Sequence, residues 1–365
     1  MKITAIDCQH HVIPLPVVLS DSTHGRIECF ALNTVRLRTE DELEGLGYAY
    51  TVGNIGGSAL HRLLVDELAP MLIGQDSSRI ARIWERMWWH LHFVGRGGLC
   101  AFAMAAVDVA LWDLNAKRQS MPLWRLLGGH SDSVPVYAGG IDLDFSIDQL
   151  LAQAQGFLDS GFRAIKTKVG RARLSEDVDR IRAMREFLGD DFPLLVDANM
   201  RWSVHEAISA ARALARFDVY WLEEPTIPDD IEGHRRIQTQ GGLPVATGEN
   251  LHSVYEFEHM MNAGAVSFPE PDVVTVGGIT PFMKVAAMAE ARNLPVTSHG
   301  VHDLSVHLLA AAPNASYLEV HGFGLEAYMQ APLQIRDGIA QAPSAPGHGV
   351  VFDWDRLAEL GPADG

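Results

Sequence analysis

Between residues 2 and 51 apolar and polar positions trade places in short runs, KITAIDC, FALNTVRLRT and LGYAYT. Each is rich in β-branched and aromatic residues and bounded by polar or glycine-rich stretches, which predicts a small antiparallel sheet. The period then lengthens. ALHRLLVDELAPML, SRIARIWERMWWHLHF and CAFAMAAVDVALWDLNAKR space their apolar residues as helices do, and the last, apolar nearly all round, is expected to be deeply buried. After Leu127-Gly128-Gly129 a new unit of apolar run, polar turn and amphipathic helix recurs to about residue 320. Its candidate strands are VPVYA (134–138), RAIKTKV (163–169), PLLVDA (193–198), VYWLEEP (219–225), PVATGE (244–249), VSFPEP (266–271), PVTSH (295–299) and SYLEV (316–320). Strands alternating with helices imply parallel pairing through right-handed crossovers, and this count closes a barrel. The expected class is α/β. An N-terminal α+β capping domain spans 1–130, a (β/α)7β modified TIM barrel 131–325, and an irregular segment, 326–365, returns to the cap.

Composition narrows the setting. Lys+Arg 29 against Asp+Glu 46 leaves −17, a balance that repels nucleic-acid phosphates and anionic lipid, so neither partner is expected. No run approaches the roughly 20 apolar residues of a membrane span, and MKITAIDCQH lacks the plan of a signal peptide; the expectation is a cytoplasmic protein. Cys8, Cys29 and Cys100 are too few and scattered for a disulfide framework or a zinc site.

Chemistry gathers where the barrel strands end. Lys166 and Lys168, Asp197, Glu223, Glu249, Asp272, His299 and Glu319 follow one another from Lys168 at intervals of 20 to 29 residues, about one strand-helix unit, which places them on the rim where such barrels build active sites. Asp197, Glu223 and Glu249 close consecutive strands about 4.8 Å apart. Three carboxylates brought together need a cation, and an all-oxygen set favours a hard octahedral ion, one Mg²⁺ per site, over zinc. Asn199 and Glu224 lie beside them as supporting groups, with Asn199 also a candidate substrate contact. Lys166 and Lys168, two apart on one strand, share a face; mutual repulsion and burial are expected to lower a lysine pKa until one serves as a general base. Asp272 and His299, on neighbouring strands, make a second base. An α-carbon beside a metal-bound carboxylate would lie between Lys168 and His299. Glu319, kept protonated by burial, would donate a hydrogen bond to the developing enediolate, with Glu326 the weaker competitor.

These residues resemble the mandelate racemase group of the enolase superfamily. The resemblance covers essentially the whole chain and rests on Lys166-x-Lys168 in AIKTKVG, Asp197 in VDANMRW, Glu223 in WLEEP, Glu249 in TGEN, Pro271-Asp272 before Gly277-Gly278, His299 in SHG and Glu319 in LEV. It implies metal ligands Asp197, Glu223 and Glu249, bases Lys168 and the His299–Asp272 dyad, an electrophilic Glu319, and a homo-oligomer. Glu270 departs from the group, where a glutamine is usual, and is expected to add negative charge beside the dyad. Further segments, GRGG, GGIDL, EEPTIPDD and LEVHGF among them, are similar to the 3,6-anhydro-galactonate cycloisomerase and galactarate/talarate dehydratase subfamilies. That implies a small sugar-acid substrate, loss of its C2 proton and expulsion of the oxygen at C3. A racemase or epimerase using both bases, and an inactive barrel that binds carbohydrate acids, remain alternatives. Two cap loops, LSDSTHGRI (19–27) and YTVGNIGGS (50–58), are expected to choose the substrate, with His24 and Tyr48 as candidate contacts to its hydroxyls.

Overall fold

Alternation in the first fifty residues produces three antiparallel strands, β1 (Ile3–Asp21), β2 (Gly25–Thr39) and β3 (Glu44–Val52), in that order across the sheet. This computed structural model describes residues 1–321 and 324–361. β1 and β2 run well past the predicted segments, so residues 19–27 form the tip of a hairpin rather than a loop between elements. Helices follow: α1 (Gly57–Arg62) and α2 (Ala69–Leu72) flank a π-helical turn, then α3 (Ile80–Leu91), α4 (Leu99–Arg118) and the short α5 (Leu123–Leu126). α4 corrects one expectation, because its 20 residues are long and apolar enough for a membrane span. It is instead the core helix of the cap and lies across β3. Gly45 and Gly47 make that approach possible, since a Cβ on either would stand 2.2 Å from the carbonyl oxygen of Ala110 or 2.0 Å from that of Ala106.

Eight parallel strands follow: β4 (Ser133–Gly139), β5 (Ile165–Lys168), β6 (Leu194–Asp197), β7 (Leu222–Glu223), β8 (Val245–Thr247), β9 (Phe268–Pro269), β10 (Val296–Ser298) and β11 (Ala315–Val320). The seven helices between them are α6 (Ile147–Asp159), α7 (Leu174–Leu188), α8 (Val204–Ala215), α9 (Ile231–Gly241), α10 (Val254–Asn262), α11 (Ile279–Glu290) and α12 (His302–Ala311). The sheet runs β10-β11-β4-β5-β6-β7-β8-β9, and a parallel bridge between Asp272 and His299 joins its ends. The barrel is therefore closed at the dyad itself. Inside it Tyr137 and Trp221 meet edge to face at 5.5 Å, with Phe268 and Tyr317 packed beside them. This aromatic layer is the floor of the rim: Trp221 donates from Nε1 to Glu223, and Tyr137 from its hydroxyl to Glu270.

The chain then forms a hairpin, β12 (Ile335–Arg336) with β13 (Ile339–Gln341), and β13 pairs antiparallel with the first residues of β4. It continues over the cap and ends in α13 (Trp354–Ala358). His348 hydrogen-bonds the carbonyl of Leu46 and its amide donates to Asp113 on α4. Phe352 packs edge-on against Tyr48, and Arg36 stacks on Trp354. The three cysteines are free thiols.

Candidate active site

Parallel register sets the spacing of the rim. β5 pairs with β6 so that Lys168 stands beside Asp197, and β6 with β7 so that Asp197 stands beside Glu223. Asp197, Glu223 and Lys166 are buried, and Glu249 is nearly so. Two of the residues that follow these strands carry left-handed backbone, Asn199 at φ 42° and Glu224 at φ 38°. Such strain in residues with side chains concentrates where function fixes geometry. Glu224 accepts two hydrogen bonds from Asn250, whose amide also reaches Glu249 at 3.2 Å. Asn199 is buried, with its Oδ1 lacking a hydrogen-bond partner.

The three carboxylates share a rim but do not meet at a point. Lys166 Nζ lies 2.5 Å from Glu223, 2.6 Å from Glu319 and 3.7 Å from Asp197. Lys168 pairs with Asp197, and Glu249 turns 2.8 Å to His299 Nε2. Among the described residues the ligand atoms that converge within 4.8 Å belong instead to His299, Glu319 and His321. The two lysines supply the positive charge that faces these carboxylates.

That pairing reverses several expectations about ionisation. Burial alone would lower both lysines, but the carboxylates facing them, Asp197 for Lys168 and Glu223 with Glu319 for Lys166, outweigh it and raise both. Repulsion between the two ammonium groups is the smaller effect. Glu319 is not held neutral: burial pushes it up, yet Lys166, His321 and His299 bring it well below the ordinary carboxyl range. Glu270 reverses in the other direction. Burial lifts its carboxyl to about 8, so at neutral pH it is largely protonated and stands in for the glutamine rather than adding charge.

The dyad is formed as expected, with His299 Nδ1 2.9 Å from Asp272 Oδ2. Burial would lower His299, but Glu249 and Glu319, together with the Asp272 bond, raise it well above the usual imidazole value. Two partners escaped the sequence reading. The Tyr50 hydroxyl donates to Asp272 Oδ2 at 2.6 Å, and His321 Nε2 lies 3.2 Å from Glu319 Oε2. His321 had a legible signal, since it stands two residues beyond Glu319, just past the end of β11, where extended spacing brings it to the same side. Tyr48 is corrected. It sits in the cap core against Phe352 and faces Val301, His302, Asp303 and Glu326 rather than the bases, while Tyr50, one pleat further along β3, reaches the dyad. Glu326 lies 3.6 Å from His302, away from the bases. His24, bonded to Asp21 at 2.9 Å, does line the hollow above the bases together with Asn199, Lys168, His299 and Glu319.

The hairpin tip is clamped to this rim. The Ser22 hydroxyl donates to the carbonyls of Ala198 and Asn199, and Thr23 to that of Asn199. Ser20 pairs with the β4–α6 loop through Ile141, Leu143 and Asp144. The cap therefore closes over the hollow through backbone that flanks Asp197.

Known proteins share this architecture. Residues 2–128 match the mandelate racemase / muconate lactonizing enzyme N-terminal domain, and residues 149–356 the enolase C-terminal domain-like family. The chain is 56% identical over 348 residues, 95% of its length and 96% of the relative's, to a 3,6-anhydro-alpha-L-galactonate cycloisomerase of Streptomyces coelicolor. It is 38% identical over 84% of its length, and 77% of the relative's, to the L-talarate/galactarate dehydratase of Salmonella typhimurium. A crystal structure of a racemase from Streptomyces coelicolor with bound magnesium superposes with a TM-score of 0.96 at 54% identity, covering 98% of this chain and 99% of that one. The Salmonella dehydratase bound to Mg and L-lyxarohydroxamate superposes at 0.92 with 34% identity, covering 96% and 90%. The chain belongs to the mandelate racemase/muconate lactonizing enzyme family of the enolase superfamily.

Proposed function

We propose that this protein is a Mg²⁺-dependent enzyme that removes the α-proton of a sugar-acid carboxylate and expels the oxygen at C3, leaving a 2-keto-3-deoxy acid. The observation that carries it is the placement of two bases from well-separated strands, Lys168 of β5 and His299 after β10, in one hollow with Glu249 and Glu319. Asp197, Glu223 and Glu249 would hold the cation; three buried oxygen donors with a surplus of negative charge suit a hard ion. When bound, that ion supplies Lewis-acid stabilisation of the charge that develops on the substrate carboxylate.

The chain's own groups do the rest. With Asp197 and Glu249 engaged by the cation, the negative charge that raises Lys168 and His299 would be offset, so that one of the two, neutral, would take the C2 proton while the other, protonated, gives its proton to the departing C3 oxygen. Asp272, fixed by Tyr50, holds the His299 ring in one tautomer and turns Nε2 to the hollow. Lys166 ties Glu223 of β7 to Glu319 of β11 and holds the two carboxylates in place. If the C3 oxygen is part of an anhydro ring it stays attached through C6, and the product is an isomer of the substrate; if it is a free hydroxyl, it leaves as water. The likeness to a cycloisomerase at 56% identity favours the first.

A panel of aldonates, 3,6-anhydro-aldonates and aldarates incubated with Mg²⁺ in D₂O tests the reading by NMR, with keto product trapped by semicarbazide. A Mg²⁺-dependent 2-keto-3-deoxy product is expected. The likeness to a structure described as a racemase gives the second reading its outcome: inversion at C2 with deuterium uptake and no keto product would replace elimination.

A further inference from the structure

Two kinds of donor meet at the rim. The oxygens of Asp197, Glu223 and Glu249 suit a hard ion, but beside them a nitrogen-rich group gathers where the last barrel strands end. His299 follows β10, Glu319 lies on β11 and His321 just past it, and one donor atom of each lies within 4.8 Å of the other two. Glu319 Oε2 stands 3.2 Å from His321 Nε2 and 3.8 Å from His299 Nε2. Donors at about 2.0–2.2 Å around a tetrahedral ion stand about 3.3–3.6 Å from one another, so both separations fall close to a coordination edge. His299 Nε2 is also 2.8 Å from Glu249, a carboxylate assigned to the hard cation, so the two metals would draw on different oxygens.

The supporting bonds are those a metal site needs. Asp272 takes His299 Nδ1 at 2.9 Å and is itself held by Tyr50, which leaves Nε2 as the ligand atom. A carboxylate behind a ligating imidazole fixes its ring and tautomer. Lys166 holds Glu319 Oε1 at 2.6 Å while the amide of Gly300 donates to Oε2 at 3.0 Å, so the carboxylate is fixed with Oε2 toward the rings. Glu319 and His321 are buried, and His299, 16% exposed, lines the same hollow as they do. An ion there would keep its fourth position open to that hollow, as three-ligand zinc sites do. Two imidazoles and one carboxylate favour Zn²⁺ or Co²⁺ over Mg²⁺, which takes oxygen donors. We propose that His299, Glu319 and His321 form a second metal site, for a borderline ion such as Zn²⁺, and that its occupation turns the enzyme off by engaging His299 and Glu319. The site stands on its own geometry; the inhibition rests on the role proposed above for His299 as a base.

The test titrates Zn²⁺ into the full chain saturated with Mg²⁺. Equilibrium dialysis should find one Zn²⁺ bound per chain with Mg²⁺ retained, and X-ray absorption at the zinc edge should show two imidazoles. Removing a ligand should cost at least as much as the roughly 10- to 100-fold of a supporting group, so His321→Gln should weaken zinc at least about 10²-fold, whereas Glu223→Gln should bind it as the wild type does. Exchange of a substrate α-proton in D₂O should fall in step with zinc occupancy and return when a zinc-selective chelator removes the ion. No zinc bound beside Mg²⁺, an all-oxygen zinc shell, or binding lost in Glu223→Gln overturns the site. Zinc held by two imidazoles with exchange undiminished overturns the inhibition. Absence of exchange from every acid in the zinc-free enzyme overturns the elimination and the inhibition with it, and leaves the site standing. Should His321→Gln not fold, the imidazole count in the wild type decides.

Discussion

At the scale of the residue, the site is a set of charges that answer one another, so single substitutions should separate roles. Lys168→Ala and His299→Asn should each lower product formation by about 10²-fold or more, the usual contribution of a general acid or base. The variant that retains the base but lacks the acid should still exchange the α-proton with D₂O; equal loss of exchange and of product in both variants would contradict a division of labour. Tyr50→Phe removes the phenol that donates to Asp272 and leaves its ring in place. A hydrogen bond to a charged group contributes roughly 1.5–3 kcal/mol, so kcat should fall about ten- to a hundredfold with little change in KM; an unchanged kcat would show that the dyad does not need the cap. The identities of Asp197, Glu223, Glu249, Asp272, His299 and Glu319 could be read from their recurrence at strand ends, because barrel register converts that spacing into a ring. Their ionisation could not be read so. Which carboxylate faces Lys168, or how far burial lifts Glu270, depends on contacts between strands, and the same dependence hid Tyr50, whose partner lies 222 residues away.

Elements carry the next layer, and their packing is tested most sharply where two come closest. β3 passes under α4 at Gly47, where an added methyl would stand 2.0 Å from the Ala106 carbonyl oxygen. Neither backbone can yield without shifting its element, so Gly47→Ala should cost at least the 1–3 kcal/mol typical of overpacking, read as a lower denaturation midpoint, whereas Gly156→Ala on α6, where an added methyl meets nothing within 4 Å, should cost nothing. A second joint lies at α12. The amide of Trp124 in α5 donates to His307 Nδ1, and His307 Nε2 donates to the carbonyl of His348 in the returning tail. The first bond requires the neutral ring, because Nδ1 must accept, and burial lowers His307 from 6.5 to about 4. The unfolded chain therefore binds the proton first, so the stability from this joint is complete above pH 6.5 and declines as pH falls toward 4. One pKa unit corresponds to about 1.4 kcal/mol, so wild type should lose on the order of 2–3 kcal/mol more than His307→Gln across that window in urea unfolding; parallel curves would refute it. Periodicity revealed the seven helices and eight strands, because each keeps one spacing long enough to register. It did not reveal that β1 and β2 extend to the hairpin tip, since SDSTHG has no apolar alternation and is held by bonds to Ala198 and Asn199 instead.

Over the whole molecule, the cap and the barrel converge on a rim with an excess of buried negative charge. Asp197, Glu223, Glu224, Glu249, Glu270, Asp272 and Glu319 face Lys166, Lys168 and His299. The protein offsets part of this excess by protonation. Burial, with Glu270 adding to it and Lys166 opposing, raises Glu223 well above the carboxyl range, and burial likewise raises Glu224. A raised folded pKa means that the charged form is the unfavourable one, so the metal-free protein gains from these groups as pH falls and is strained as pH rises through their folded values. A divalent cation reverses that strain by making the ionised carboxylates the preferred form. Mg²⁺ should therefore raise the melting temperature, with about 2.7 kcal/mol expected at one hundred times its Kd, and the increment should grow with pH; EDTA should return it to the metal-free value and abolish turnover. Glu223→Gln distinguishes this from a general salt effect. The amide keeps the shape of the carboxyl and cannot carry its charge, so the variant should lose most of the Mg²⁺-induced rise together with activity. A variant that kept the full Mg²⁺ response would remove Glu223 from the cation's ligands and require another set of donors on the rim.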